Sequence, residues 1–426
     1  MRILLAAEHY PPFIGGAHRQ AQLLAHGLAG RGHEVSVAAP WHYGLPESEL
    51  EGDGVQVRRV RELRTAATAL VRHRGQRYQP PFPDPVTTFA LRRLVRELKP
   101  DLVHSHGWIS FSAAAALLGR REPPLVASAH DYGYFCPTRT LLRNGEALCS
   151  GPGPAKCPRC AAHYYGPPRG LVTAPSVALS RRLLARKLAG LHCVSAFVEQ
   201  VTAPYLLGSV ASRRGVVSAT IPSFEGPEPD DGRADEHGVG AYLARLPPEP
   251  FILFVGAFRR VKGLETLFAA YERLASPPPL VLMGTVERDT PADFPAGTVV
   301  IEDVPHAAVM AAWDRAMFGV MPSLWPEPFG LTAAEPMSRG KTVIGTYPGG
   351  HADVVGPDTG ILVPQGDAEA LAAAMTDLIA DPARREQMGR AAAIRAREFR
   401  ADAVLPRFEQ LYRDVLTGRG GRPASG

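Results

Sequence analysis

The chain reads as an α/β protein made of two doubly wound parallel sheets, and three observations lead there. At 426 residues it is about three times the length of a typical single domain, enough for two. Short apolar runs of the buried-strand type alternate with helix-patterned segments along most of its length. A polar stretch rich in Pro and Gly, Phe224-Glu-Gly-Pro-Glu-Pro-Asp-Asp-Gly-Arg-Ala-Asp, interrupts that alternation between about Ser223 and Pro250 and reads as a linker.

The first series opens with a strand at Ile3 to Ala7, a Pro-Pro-Phe-Ile-Gly15-Gly16 loop and an amphipathic segment from Gln20 to Leu28. Glu34 to Pro40 is the second strand, and Val55–Val60, Leu102–His106, Leu125–Ala129 and Leu191–Ser195 continue the pattern. Pro85–Leu98 and the Ala-rich Phe111–Leu118 are the helices between them. The second series has strands at Phe251–Gly256, Leu280–Met283, Thr298–Ile301, Phe318–Ser323 and Gly340–Thr346. Its helices fall at Leu264–Leu274, Ala307–Ala316, Ala368–Ile379 and Pro382–Phe399. These patterns divide the chain into a first domain at 1–222, a second at 223–400, a charged helical segment at 401–417 and a tail at 418–426 expected to be disordered.

Composition narrows the function classes. Apolar residues make up 45% of the chain, and the formal charge of +5 comes from 47 basic and 42 acidic residues. That mild excess suits anionic small ligands and argues against tight nucleic-acid binding. The amino terminus has too short an apolar run for a signal peptide, and no stretch nears the roughly 18 apolar residues of a membrane span, so a cytoplasmic protein is expected. Arg58, Arg59, Arg61, Arg64, Arg72, Arg74 and Arg77 crowd one segment, and Arg181, Arg182, Arg186 and Lys187 another. Such runs are either solvated faces or contacts to the inner face of an anionic membrane.

The most informative stretch is Pro326-Glu327-Pro328-Phe329-Gly330-Leu331-Thr332-Ala333-Ala334-Glu335. Its prolines and glycine forbid a helix until about Leu331, after which the residues favour one, so a loop runs into a helix amino end. Backbone amides of Phe329 to Thr332 then form an anion site with Glu327 before it and Glu335 on the helix. Carboxylates beside a phosphate pocket hold hydroxyls, and phosphate with many hydroxyls describes a sugar nucleotide. The flanking strands place the pair at a strand's carboxyl end, where open α/β sheets bind ligands.

Other candidates are weaker alone. Gly15-Gly16 is either a plain turn or a close backbone approach to an anion. His130-Asp131 follows a strand, and Glu8 and His9 follow another. His104 and His106 share one strand face and suit a satisfied structural pair. Arg259, Arg260 and Lys262 lie in a strand-to-helix loop, where cations would neutralise a departing diphosphate. Cys136, Cys149, Cys157 and Cys160 fall within one Gly/Pro-rich insertion at about 132–168. Their spacing fits a structural four-thiolate zinc site, free thiols or a disulfide.

In combination these motifs resemble the retaining, nucleotide-sugar-dependent glycosyltransferases of the two-domain GT-B fold that carry two glutamates with seven residues between them, the family-four group. The resemblance runs from Met1 to about Phe399. It implies that the cleft between two Rossmann-like domains holds a nucleoside-diphosphate sugar, that the first domain takes the acceptor and that the last helix crosses back onto it. It also implies catalytic roles for His130, Glu327 and Lys262, with no cofactor for catalysis. Gly15, Gly16, Phe329, Gly330 and Leu331 would meet phosphate or sugar, Glu335 the ribose, Gly284 would leave room for the nucleoside and Val304 would offer backbone to the base. The family pattern has an arginine where this chain has Ala257, and Arg259 or Arg260 is the candidate replacement. The acceptor is a saccharide, a lipid or a small molecule. The rival readings are a phosphorylase or epimerase on the same scaffold and a non-catalytic sugar-nucleotide-binding protein.

Overall fold

The computed structural model describes residues 1–12, 16–63, 79–119, 122–208, 215–224 and 238–418, with backbone alone at 16–18. Gly15, Arg64, Arg72, Arg74, Arg77, residues 225–237 of the expected linker and the tail from 419 lie outside the described residues. The chain divides into two compact units, Met1–Phe224 with Ala401–Gly426, and Glu225–Arg400.

The first unit carries an eight-stranded sheet of β1 (Arg2–Ala7), β2 (Glu34–Pro40), β3 (Ser48–Leu50), β4 (Gln56–Val60), β5 (Leu102–His106), β6 (Leu125–Ala129), β9 (Leu188–Cys193) and β10 (Val217–Thr220). Its order is β10-β9-β6-β5-β1-β2-β4-β3, parallel throughout except for the edge strand β3. Strands β1, β5 and β6 are buried almost end to end, the pattern of a parallel sheet covered on both faces, although β5, Leu-Val-His-Ser-His, is polar from His104 on. A hairpin, β7 (Leu142–Arg143) and β8 (Ala147–Leu148), lies in the cysteine insertion. Helices α1 (Gly16–Gly30), α2 (Pro85–Leu98), α3 (Ile109–Ala116), α4 (Lys156–Tyr165), α5 (Pro167–Lys187) and α6 (Ala196–Leu206) join the strands. Helix α2 shows why the local sequence suffices. Asp84 caps it by accepting from Thr87 N, Pro85 opens it, and Lys99 closes it in the left-handed region, with Leu91, Leu94 and Val95 on its buried face.

The second unit holds β11 (Phe251–Val255), β12 (Leu280–Gly284), β13 (Thr298–Glu302), β14 (Ala316–Val320), β15 (Val343–Tyr347) and β16 (Gly360–Pro364) in the order β13-β12-β11-β14-β15-β16, all parallel. Its helices are α7 (Val239–Leu243), α8 (Leu264–Tyr271), α9 (His306–Arg315), α10 (Leu331–Ser338), α11 (His351–Val354), α12 (Ala368–Ala380) and α13 (Pro382–Ala396). The sheet grows in one direction from β11 to β13 and in the other from β14 to β16. Loops after β11 and β14 therefore diverge at a topological switch point, which sets the place of the candidate site. The core beneath is built from Ile252, Phe254, Leu282, Phe318, Ile344 and Met375.

Helix α14 (Ala401–Thr417) belongs to the first unit, where Val404, Phe408, Leu411 and Tyr412 join the core with Leu5, Leu24 and Val37. Two glycines make room for it. A Cβ on Gly27 would stand 2.6 Å from Leu405, and one on Gly190 2.8 Å from Val415. Glu409 accepts two bonds from Arg31, at 2.8 and 3.0 Å, and pairs with His33 at 3.0 Å. The Arg31 hydrogen bonds hold its carboxyl down at about 2 against the upward push of burial. Because the carboxyl is depressed in the folded protein, its stabilisation is complete above the ordinary value of about 4.5 and is lost as pH falls toward 2. Glu409→Gln is expected to lower stability by about 2 kcal/mol at pH 7, in denaturant titration, with the gap to wild type closing below pH 4.

Candidate active site

The site of the second unit begins where β14 stops. Pro322 ends the strand, the loop carries Ser323, Trp325 and Glu327, and Gly330 turns into α10 at a φ of 94°. Among the described residues the amides of Phe329, Gly330, Leu331 and Thr332 donate to no protein acceptor, so the amino end of α10 keeps its free donors and positive dipole end. Glu327 lies just before them and is 7% exposed. Three donors converge on its Oε1: Lys262 Nζ at 2.6 Å, Ser323 Oγ at 2.7 Å and Trp325 Nε1 at 2.9 Å. Burial pushes the carboxyl up, but the Lys262 charge and these bonds outweigh it and hold it at about 2. Glu327 is thus ionised across the physiological range, paired rather than poised as an acid.

Lys262 arrives from the loop after β11, and its ammonium also sits over the Trp325 ring, 5.6 Å from the centroid. The two loops are locked together at the switch point. Leu324 N donates to Val261 O at 2.9 Å, and a Cβ on Gly263 would fall 1.8 Å from Pro322 O. Arg259 and Arg260 point elsewhere: Arg259 pairs with Asp289 at 3.6 Å and Arg260 with Glu265 at 3.9 Å, all well exposed.

Glu335, on α10, pairs at 3.1 Å with Nε2 of His306, the first residue of α9, and Val304, two residues before that helix, is half-buried. Gly284 closes β12 against backbone rather than open space, since a Cβ there would meet Gly256 O at 1.8 Å. Phe329 is buried, its ring edge-on to Phe399. Ser323, Trp325, His306 and His351 were missed in the sequence reading. Only the indole of Trp325, two residues from Glu327 in a loop, was a usable signal.

In the first unit the carboxyl ends of β1, β5 and β6 gather a second polar cluster. Glu8 is buried, accepts from Trp108 N at 2.7 Å and binds Arg139 at 2.9 Å. Arg139 also bonds Asp131 at 2.8 Å and lies over the Trp108 ring. The two carboxylates more than offset the burial of its guanidinium. His130 is half-buried and bonded to His106 Nδ1 at 2.8 Å, with the rings stacked. Burial, then the charges of His9 and Arg139, push His130 down to about 4, so its ring is neutral at pH 7. His104 is structural, spanning Tyr412 Oη and Ser128 Oγ at 2.7 Å each. Gly16 opens α1.

The four cysteines of the insertion are free thiols that line one cavity of about 20 Å³. Asn144 N and Gly153 N donate to the sulfurs of Cys160 and Cys157 at 3.3 and 3.2 Å. No group of three or more His, Cys, Asp or Glu among the described residues stands ready to hold a metal ion. Nor is any described helix long and apolar enough to cross a membrane.

Comparison with known proteins agrees with this architecture. Residues 14–208 match the family described as Glycosyltransferase Family 4, and residues 243–395 the one described as Glycosyl transferases group 1. Glycogen synthase of Mycobacterium tuberculosis (strain ATCC 25618 / H37Rv) is 25% identical, aligned over 99% of this chain and 96% of that protein. A D-inositol 3-phosphate glycosyltransferase of Kineococcus radiotolerans is 27% identical over 99% and 98%. Among solved structures, sucrose-phosphate synthase from Thermosynechococcus elongatus superposes with a TM-score of 0.72 at 21% identity, covering 98% of this chain and 99% of that one. Anabaena HepE in complex with UDP-glucose does so at 0.62 and 16% identity, covering 96% and 98%. With one match in each half and this pair of parallel sheets beneath them, the chain belongs to the GT-B glycosyltransferases of group 1 and family 4.

Proposed function

We propose that the protein is a retaining hexosyltransferase that moves a sugar from a nucleoside diphosphate to an acceptor hydroxyl or amine, without a catalytic metal. The observation that carries this reading is the buried Glu327 carboxylate, ionised by Lys262 and seated before the free amides of α10. The donor diphosphate lies on those amides, and the sugar hydroxyls bond to Glu327 through the oxygen that Lys262 leaves open. Glu335 holds the ribose hydroxyls, exchanging its bond to His306 for them. Lys262 and the helix dipole neutralise the charge that grows as the bond from C1 to phosphate oxygen breaks. The acceptor oxygen attacks C1 from the same face, and its proton passes to the departing phosphate. His130, neutral, hydrogen-bonds the transferred sugar and takes no part in the proton transfer.

Relatives named as a glycogen synthase and a D-inositol 3-phosphate glycosyltransferase support a sugar or polyol hydroxyl as acceptor. We further propose that Cys136, Cys149, Cys157 and Cys160 take one structural zinc. Support comes from a cavity with room for a single ion and from two backbone amides already aimed at sulfur, bonds a thiolate accepts. The side chains must turn inward to close on it.

Glu327→Gln is expected to cut kcat/KM by about 100-fold or more while circular dichroism is unchanged; turnover like wild type would discard the role. Glu335→Ala is expected to weaken nucleoside diphosphate binding about tenfold, as one charged hydrogen-bonding group is worth, by calorimetric titration. Protein purified without chelator should hold one zinc per chain, released by a mercurial and missing in Cys157→Ser. Four reactive thiols with no metal would refute the zinc site.

A further inference from the structure

His351 opens α11 directly behind the Glu327 loop and is 1% exposed. Its Nδ1 accepts from Thr346 N at 3.2 Å, which leaves the ring proton on Nε2. Burial lowers the basicity of the ring more than the Glu327 charge restores it, so the imidazole is neutral. That Nε2–H is buried and has no acceptor. It lies against the turn into α10: a Cβ on Gly330 would come within 2.3 Å of Cδ2 and 2.8 Å of Nε2. The ring is held firmly there. Gly350 N donates to Glu327 O at 2.6 Å, Thr346 Oγ1 to Ser323 O at 2.8 Å, and a Cβ on Gly345 would touch the ring at 3.3 Å.

A buried donor without an acceptor is costly, and native structures rarely leave one unless something arrives to complete it. Here it sits beside a helix amino end whose amides are also unsatisfied, so the shared missing partner is an oxyanion. We propose that His351 is a donor-binding residue whose Nε2–H completes the phosphate site at the turn into α10, donating to a diphosphate oxygen of the sugar nucleotide. The proposal rests on the reading of that turn as the donor diphosphate site. It also explains the glycine at 330: the φ of 94° and the imidazole both exclude a side chain.

The test is calorimetric titration of the whole protein with UDP, GDP, ADP and dTDP and with the corresponding nucleosides. His351→Phe, which keeps a ring against Gly330, is expected to bind the preferred nucleoside diphosphate about tenfold more weakly with nucleoside binding unchanged. His351→Gln, whose amide N–H reaches the same position, is expected to recover part of the loss. In wild type labelled with 15N-histidine, the Nε2 resonance of His351 should move on adding the diphosphate and stay put with the nucleoside, a measurement that needs no variant to fold. An unmoved resonance, or equal losses for nucleoside and diphosphate, would overturn the proposal. Failure of wild type to bind any of the four diphosphates would remove the donor site itself. Binding that is sensitive to Glu335→Ala but indifferent to His351→Phe would spare the site and reject His351 alone.

Discussion

A carboxylate cannot remain charged in a protein interior unless cations and donors answer it, and the arrangement of the second unit follows from that constraint at Glu327. One oxygen draws in Lys262 from the loop after β11, and Ser323 and Trp325 from its own loop. Because these partners come from both sides of the switch point, the loops must approach to backbone distance. The glycine at 263 against Pro322 O, and the Gly349–Gly350 pair against residues 326–329, are the places where they do. The same approach carries His351 beneath Gly330 and aims the start of α10 at the space before Glu327.

The first unit solves a similar problem with the signs arranged differently. Glu8 and Asp131, from the ends of β1 and β6, share the single guanidinium of Arg139, which stacks on Trp108 at the end of β5. Arg139 stands in the left-handed region just after Cys136, at the root of the cysteine insertion. The insertion is therefore tied to the β6 loop that carries His130 by charge as well as by chain connectivity.

Much of the frame was legible because parallel strands buried on both faces are for the most part apolar. Ile3–Ala7, Leu125–Ala129 and Leu280–Met283 could be read directly, and so could helix α2, from Pro85 to Leu98. Elements whose burial is partial were not legible. Edge strand β10, Val-Ser-Ala-Thr, carries no continuous apolar signal, and β16 ends in a proline that resembles a turn. Helix α5 runs for 21 residues through Gly170 and Pro175, two residues that interrupt the helical signal in its sequence. Gly170 is needed there because its bare α-carbon packs on the Ala161–Ala162 backbone of α4, a contact between helices that no local rule contains.

The sequence by itself determined the fold class, the loop-to-helix junction at Gly330 and the presence of Glu327, Glu335 and Lys262 near strand ends. Backbone conformation and burial follow from neighbours along the chain, and those are written locally. Tertiary structure alone decided which cation meets Glu327. Lys262, Arg259 and Arg260 are close in sequence, yet only the lysine faces the carboxylate, and both arginines turn to acidic partners on the surface. It also decided that His306 pairs with Glu335, and that His351, some twenty residues beyond Gly330, holds a buried donor against that turn. Such pairings depend on the distance between loops that the sheet brings together, and distance through space is not encoded in spacing along the chain.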